Sequence, residues 1–219
     1  MFKDKNILLG ITGGIAAYKA CEIIREIKRN NGDVRVVLTN SASKFITPLT
    51  LATLSEHAVL MDMFEDEFRG STTHINVARW ADMILVCPAT ANTIGKIANG
   101  IADDLLTTLI MAATVPVVLC PAMNKEMYRN KFFQENLSRL KRNGYCIVES
   151  EAGALACGEY GDGRLANQRK ILAVLKKILL GKQILVGKKV LIRNPGVQDN
   201  SEVVKFFRFN LTTFSVSSG

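Results

Sequence analysis

Asn6-Ile7-Leu8-Leu9-Gly10-Ile11-Thr12-Gly13-Gly14 opens the chain on a short apolar run that stops at paired glycines. An apolar run of this length, closed by a turn signal, reads as a buried strand followed by a tight turn. Beyond it Ala16, Ala20, Ile23, Ile24 and Ile27 recur at helical spacing until Asn30-Asn31-Gly32 stops them. Val34-Arg35-Val36-Val37-Leu38 is the next strand. The alternation then repeats. Met83-Ile84-Leu85-Val86-Cys87 and Val115-Pro116-Val117-Val118-Leu119-Cys120 are further apolar strands, each ending in a Pro-containing loop. Helices are expected around residues 93–99, 104–113 and 132–143, and a last strand at Tyr145-Cys146-Ile147-Val148. Near-continuous apolar strands alternating with helices mean a parallel sheet covered on both faces. The expected fold class is therefore α/β: a doubly wound, Rossmann-like or flavodoxin-like, mostly parallel sheet with helices on both faces.

Composition bounds what such a fold could serve. The 219 residues suffice for one ordinary domain plus an extension, and 48% of them are apolar, enough for a sizeable core. No apolar run reaches the roughly 18 residues of a membrane helix, so no membrane partner is expected. Residues 1–6 lead directly into the first strand and leave no room for a signal peptide. Five cysteines without C-x-x-C spacing suit the reduced thiols of a cytoplasmic protein. With two histidines and no His/Cys cluster at zinc spacing, no metal is expected. The net charge of +8 lies wholly in the tail: residues 1–167 carry 18 basic and 18 acidic side chains, residues 168–219 carry 10 and 2. A balanced body with a basic tail argues against a nucleic-acid partner. Residues 170–180 read as a basic amphipathic helix, and Gly187-Lys188-Lys189-Val190-Leu191-Ile192 opens like the strand of another domain that too few residues follow to complete. The division expected is a cofactor-binding domain over residues 1–180, then a linker, an incomplete strand and a poorly ordered end over 181–219.

Open α/β sheets take ligands beyond the carboxyl ends of their strands, where the segments 12–14, 39–43, 88–93 and 121–127 fall. The Gly10–Gly14 segment suits a phosphate, because glycines allow close backbone approach and the helix start offers free N–H groups. It is equally a plain strand-to-helix turn. No Gly-Lys-Ser/Thr follows, as a Walker loop requires, and no acidic residue ends the second strand, as a dinucleotide site would want. Leu38-Thr39-Asn40-Ser41 puts hydroxyl and amide groups there, better matched to a mononucleotide phosphate. In Pro88-Ala89-Thr90-Ala91-Asn92-Thr93 small residues would let a flat ring lie against backbone while Thr and Asn meet its polar edge, although any helix-capping loop looks similar. Cys157 sits among Gly153, Gly158, Gly161 and Gly163, which favours a mobile loop over a packed strand. Its thiol is either inert or a proton donor to bound substrate. His74, at a helix start, is a structural residue or a base. His57 reads as a surface or turn residue.

From Lys5 to Asn167 the chain resembles the homo-oligomeric flavin-containing cysteine decarboxylases, most of all the phosphopantothenoylcysteine decarboxylase half of the bifunctional coenzyme A biosynthesis flavoproteins. The resemblance rests on Gly10-Ile11-Thr12-Gly13-Gly14-Ile15-Ala16-Ala17-Tyr18-Lys19, His74-Ile75, segments 88–93, 95–98 and 100–107, Pro121-Ala122-Met123-Asn124-Lys125-Glu126-Met127, and the Leu155-Ala156-Cys157-Gly158-Glu159 stretch. It implies FMN-dependent decarboxylation of 4′-phosphopantothenoylcysteine to 4′-phosphopantetheine through a thioaldehyde and an enethiol, with no net redox change. It assigns His74 as the active-site base, Asn124 as ligand of the substrate carboxylate, Cys157 as the donor that reprotonates the enethiol, and Met127 to the substrate site. Thr12, Gly14, Thr39, Ser41, Thr90, Asn92, Thr93 and Ala122 become the FMN candidates. Gly14 stands where the family has serine, and Tyr128 where it has tryptophan.

The resemblance further implies a trimer or a trimer-based dodecamer. The start of a CTP-dependent ligase half is recognisable at residues 187–192 and lost from Arg193 onward, so no ligase activity is expected. Alternative readings are a decarboxylase of peptide C-terminal cysteines, a flavin prenyltransferase, or a non-catalytic regulatory protein on the same fold. The Cys157 stretch and the ligase-like strand argue against the first, the Pro-x-Met-Asn and Ala-Cys-Gly motifs against the second, and the joint presence of His74, Asn124 and Cys157 against the third.

Overall fold

The computed structural model describes residues 2–63, 73–154, 158 and 160–185. Strand β1 (Asn6–Ile11) passes through a 3-10 turn (Ile15–Lys19) into helix α1 (Ala20–Arg29), and β2 (Asp33–Leu38) returns beside β1. A second 3-10 turn (Ala42–Lys44), α2 (Pro48–Ser55) and α3 (Thr73–Trp80) precede β3 (Met83–Ala89). Helices α4 (Ala91–Ala98) and α5 (Leu105–Met111) lead to β4 (Val117–Pro121). Then come α6 (Lys125–Arg129), α7 (Lys131–Arg142), the short β5 (Cys146–Ile147), strands β6 (Glu151–Ala154) and β7 (Tyr160–Arg164), and α8 (Gln168–Leu185).

Strands β2-β1-β3-β4-β5 form one sheet, in that order, and every pairing is parallel. The doubly wound α/β expectation therefore holds. Alternate residues of each strand serve different cores: Ile7, Leu9 and Ile11 join Ile23, Ile24 and Ile27 of α1 and Ile171 and Leu175 of α8, while Leu8, Ile84 and Val86 join α3, α4, α5 and α7 on the other face. Two buried faces explain why these strands read as unbroken apolar runs. Each fully buried aliphatic side chain contributes about 1.5–3 kcal/mol, which is what ties the helices to the sheet. The order 2-1-3-4-5 reverses between β1 and β3, and a crevice opens at such a switch point.

Several elements differ from expectation. Strands β3 and β4 run through Pro88 and Pro121 instead of ending before them, and the β3–β4 register shifts between Val86 and Ala89, where the missing Pro88 N–H breaks no ladder bond. The last strand shrinks to Cys146–Ile147 and α8 begins two residues early, at Gln168. Helix α2 has a sequence signal that the periodicity hides: Thr47 caps it by accepting from the Thr50 N–H at 3.3 Å, and Pro48 occupies its first turn. The main correction concerns Gly153, Gly161 and Gly163, expected in a mobile loop. They lie in β6 and β7, which pair antiparallel, and Gly153 faces Gly161 across the ladder. Bare positions let neighbouring side chains cross the strands: a Cβ on Gly153 would fall 2.7 Å from Arg164 Cδ, and one on Gly161 2.6 Å from Lys125 Cδ. Cys157 and residues 187–192 lie outside the described residues.

His57, expected at the surface or in a turn, occupies a bend and bonds through Nε2 to both Asp33 carboxylate oxygens at 2.9 and 3.0 Å. Burial pushes the Asp33 carboxyl up, but His57, the Val34 N–H and Lys28 together outweigh burial and hold it below its ordinary 3.8. A depressed folded-state value contributes stability that is present above the unfolded value and lost as pH falls through the folded one. The Asp33 side chain is 36% exposed, so screening limits this to under about 1 kcal/mol. Asp33→Asn should therefore lower the melting temperature by at most about 2–4 °C near neutral pH. The gap to wild type should close as pH falls through the depressed folded-state value of the Asp33 carboxyl. Paired thermal melts check this; a gap independent of pH would refute the linkage.

Candidate active site

A cavity of ≈ 980 Å³ opens at the carboxyl ends of β1 to β4, across the β1/β3 switch. Its wall is built from Gly13, Gly14 and Ile15 after β1, residues 37–41 at the end of β2, Pro88 and residues 90–93 after β3, and Ala122, Met123 and Asn124 after β4. Leu105 and Leu106 of α5 and Ala154, Gly163 and Arg164 of the hairpin also line it. Of the residues nominated from sequence, Gly14, Thr39, Ser41, Thr90, Asn92, Thr93, Ala122, Asn124 and Met127 all line this cavity. Thr12 does not. It is 1% exposed, its hydroxyl donates to the Pro88 carbonyl at 2.7 Å, and its oxygen accepts from the Thr90 N–H at 2.9 Å. Thr12 braces the β1 end against the β3–α4 loop and stands behind the wall.

The two glycines of the first loop differ in what surrounds them. A Cβ on Gly13 would fall 2.4 Å from Ser41 Cβ and 2.9 Å from the Ser41 carbonyl carbon, because the β1 and β2 loops touch here. A Cβ on Gly14 would meet only Thr90 Cγ2, at 3.9 Å. No side chain caps the 3-10 turn that Gly14 starts, so its first N–H groups have no side-chain acceptor. Thr39 accepts from the Ala42 N–H at 3.3 Å, and Thr90 caps α4 through the Thr93 N–H at 3.4 Å. Ser41 and Asn92 are exposed at the cavity and make no capping bond. The surface presented is hydroxyl, amide and backbone, suited to a flat aromatic ring carrying a phosphate.

Asn124 is held on the wall by local hydrogen bonds. As N-cap of α6 it accepts through Oδ1 from the Glu126 N–H at 2.8 Å and the Met127 N–H at 3.3 Å. With its oxygen so held, the amide N–H groups are turned away from the helix. The loop itself is fixed by the Ala122 N–H on the Ala89 carbonyl, 3.1 Å, and the Met123 N–H on the Gly163 carbonyl, 2.9 Å. Gly163 has φ +106°, and a Cβ there would fall 2.5 Å from the Met123 oxygen, so only glycine fits. Tyr128 is half-buried against the Phe133 ring, centroids 5.5 Å apart, and its hydroxyl donates to Glu149 at 3.0 Å. His74 is the second residue of α3.

Three cations on the wall escaped the sequence reading as site residues: Lys19, Lys96 and Arg164. Lys96 bridges Asp103 at 2.8 Å and Asp104 at 3.3 Å, and these hydrogen bonds raise its pKa. Asp104 also caps α5 in a reciprocal box with Thr107. That Asp-x-x-Thr spacing was a legible cap signal. Nothing local marked Arg164, whose place depends on the hairpin. Among the described residues no helix is long and apolar enough to cross a membrane.

The Flavoprotein family model matches residues 1–180 of the chain. The coenzyme A biosynthesis bifunctional protein CoaBC of Bacillus subtilis (strain 168) is 46% identical over 177 residues, which are 81% of this chain and 44% of that protein. The chain thus spans less than half the length of the curated relatives it matches. A PPC decarboxylase cysteine-to-serine mutant complexed with pantothenoylaminoethenethiol superposes with a TM-score of 0.71 at 32% identity, covering 82% of this chain and 100% of the other. The FMN-dependent cysteine decarboxylase SpaF superposes with a TM-score of 0.73 at 28% identity, covering 84% and 99%.

Proposed function

This chain belongs to the flavoprotein family, and from that premise we propose that it binds FMN and decarboxylates 4′-phosphopantothenoylcysteine to 4′-phosphopantetheine. The residues present fit the cofactor: Gly14 leaves open ground before the uncapped 3-10 turn, and Thr39, Ser41, Thr90 and Asn92 offer neutral hydrogen-bonding groups around it. Bound FMN would supply a reversible two-electron oxidation of the substrate's CH2–SH arm, giving the departing carboxylate an electron sink.

The observation that carries the reading is the Asn124 amide. Its oxygen is fixed by two backbone donors, so its N–H groups are preset to hold the substrate carboxylate without a cost of orientation at binding. A neutral amide also adds no cation that would stabilise the carboxylate against loss as CO2. His74 would accept the proton released from the substrate thiol, and Cys157 would return one to the enethiol carbon. Met127 would pack against the substrate, and Thr12 would act by keeping the two flavin-facing loops in register.

We assign the reaction to a domain over residues 1–180 of a cytoplasmic homotrimer or dodecamer. Exposed Ile15 (59%) and Phe45 (48%), on the two 3-10 turns and the segment that follows, support assembly. Mass spectrometry of FMN-loaded protein with 4′-phosphopantothenoylcysteine tests the reading. Wild type should form 4′-phosphopantetheine, and Cys157→Ser should stop at the unreduced enethiol. A correctly loaded wild-type protein that leaves this substrate intact but decarboxylates a peptide ending in cysteine would overturn it.

A further inference from the structure

Arg164, the last residue of β7, lines the cavity, and the described carboxylates of the hairpin and the segment before it are engaged elsewhere. Asp162 pairs with Arg129 at 3.0 Å and Glu149 pairs with Lys141. Glu151, the cross-strand neighbour of Arg164, accepts from the Asn167 N–H at 3.2 Å and faces Lys170 at 3.9 Å. Lys96, by contrast, is neutralised by two aspartates.

The side chain of Arg164, an exposed residue, lies across Gly153. Its Cδ and Nη1 each lie 2.7 Å from where a Cβ of Gly153 would stand. Its strand is pinned to the Asn124 loop one residue earlier, through Gly163 and Met123. A guanidinium so placed, and without a carboxylate partner among the described residues, is available to an external anion. A planar fork matches a phosphate better than an ammonium does.

The geometry points to Arg164 as the anchor of a phosphate monoester bound in this cavity. This rests on the decarboxylase reading for the identity of the anions. Two phosphates are then available, one on the flavin and one on the pantothenoyl arm of the substrate. The carboxylate is a poor match, because a guanidinium on it would stabilise the group that must leave. Arg164 would thus set specificity for phosphorylated over unphosphorylated ligands.

Two affinity ratios test the assignment without turnover. Calorimetry on FMN-saturated protein compares 4′-phosphopantothenate with pantothenate, and flavin fluorescence on apoprotein compares FMN with riboflavin. Arg164→Gln should weaken one phosphorylated ligand by about 10- to 100-fold and leave its unphosphorylated counterpart unchanged. Gly153→Ala, which displaces the guanidinium and removes no charge, should give a smaller loss in the same ratio. A loss in the first ratio locates the substrate phosphate, a loss in the second the flavin phosphate, and either supports the anchor. Equal losses for both members of each pair, unchanged ratios in the variants, or a wild type that prefers neither phosphorylated ligand would overturn it. Failure of the decarboxylase reading shows separately, as a wild type that does not convert 4′-phosphopantothenoylcysteine.

Discussion

Gly13→Ala should strip the protein of its flavin, and Gly14→Ser, one residue on, should not. The difference follows from what lies opposite each position. At Gly13 an added methyl would overlap Ser41 Cβ at 2.4 Å and the Ser41 backbone at 2.9 Å, so one of two cavity-forming loops must move. Overpacking of this kind costs about 1–3 kcal/mol, which leaves most of the domain folded. The damage falls on the site. A shift of about 1 Å between the β1 and β2 loops misaligns both walls of the cradle and should weaken FMN by about 10²-fold. Gly14 has ordinary extended backbone, φ −164°, and open space around it. A serine there adds a hydroxyl beside the uncapped turn, so FMN should bind as tightly as to wild type or better. Flavin fluorescence titrations of both apoproteins decide the matter. Equal affinity of Gly13→Ala and wild type would mean that the loops do not grip the flavin.

Asn124 separates stability from chemistry in a second pair of variants. Asn124→Asp keeps an oxygen that accepts from Glu126 and Met127, so α6 stays capped and the melting temperature should hardly change. Under the proposed reading, however, its carboxylate would face the substrate's own. Like charges in contact cost several kcal/mol, so kcat/KM should fall by about 10³-fold or more. Asn124→Ala loses the cap, about 1 kcal/mol, together with the carboxylate donors. It should be the less stable variant yet the more active, with kcat/KM down by about 10²-fold. The crossed order of melting temperature and activity is the signature. If both variants lose activity in proportion to stability, Asn124 is a helix cap and nothing more.

The sheet and its two layers were legible because their signal is local. Apolar runs at β1 to β4 and the helical spacing of Ala20, Ile23, Ile24 and Ile27 need only neighbours along the chain. The order of the loops, and hence most of the cavity wall, came with it, since strand ends in a parallel sheet share one edge. Helix α2 escaped because its eight residues bury only Leu51 and Ser55 and carry almost no periodicity. The hairpin escaped because glycines within a strand look like a loop until something is seen to lie across them.

What the sequence determined by itself was the α/β architecture, the edge of the sheet that bears the site and the residue types on it. The tertiary structure alone decided which of those residues face the cavity. Thr12 became a brace because Pro88 and Thr90, more than seventy residues away, take both its hydrogen bonds. Gly13, and not Gly14, became obligatory because Ser41 rests against it, and Arg164 reached the wall because Gly153 leaves room beneath it. Periodicity records burial along one element. These assignments depend on contacts between elements distant in sequence, which exist only once the sheet and hairpin have closed.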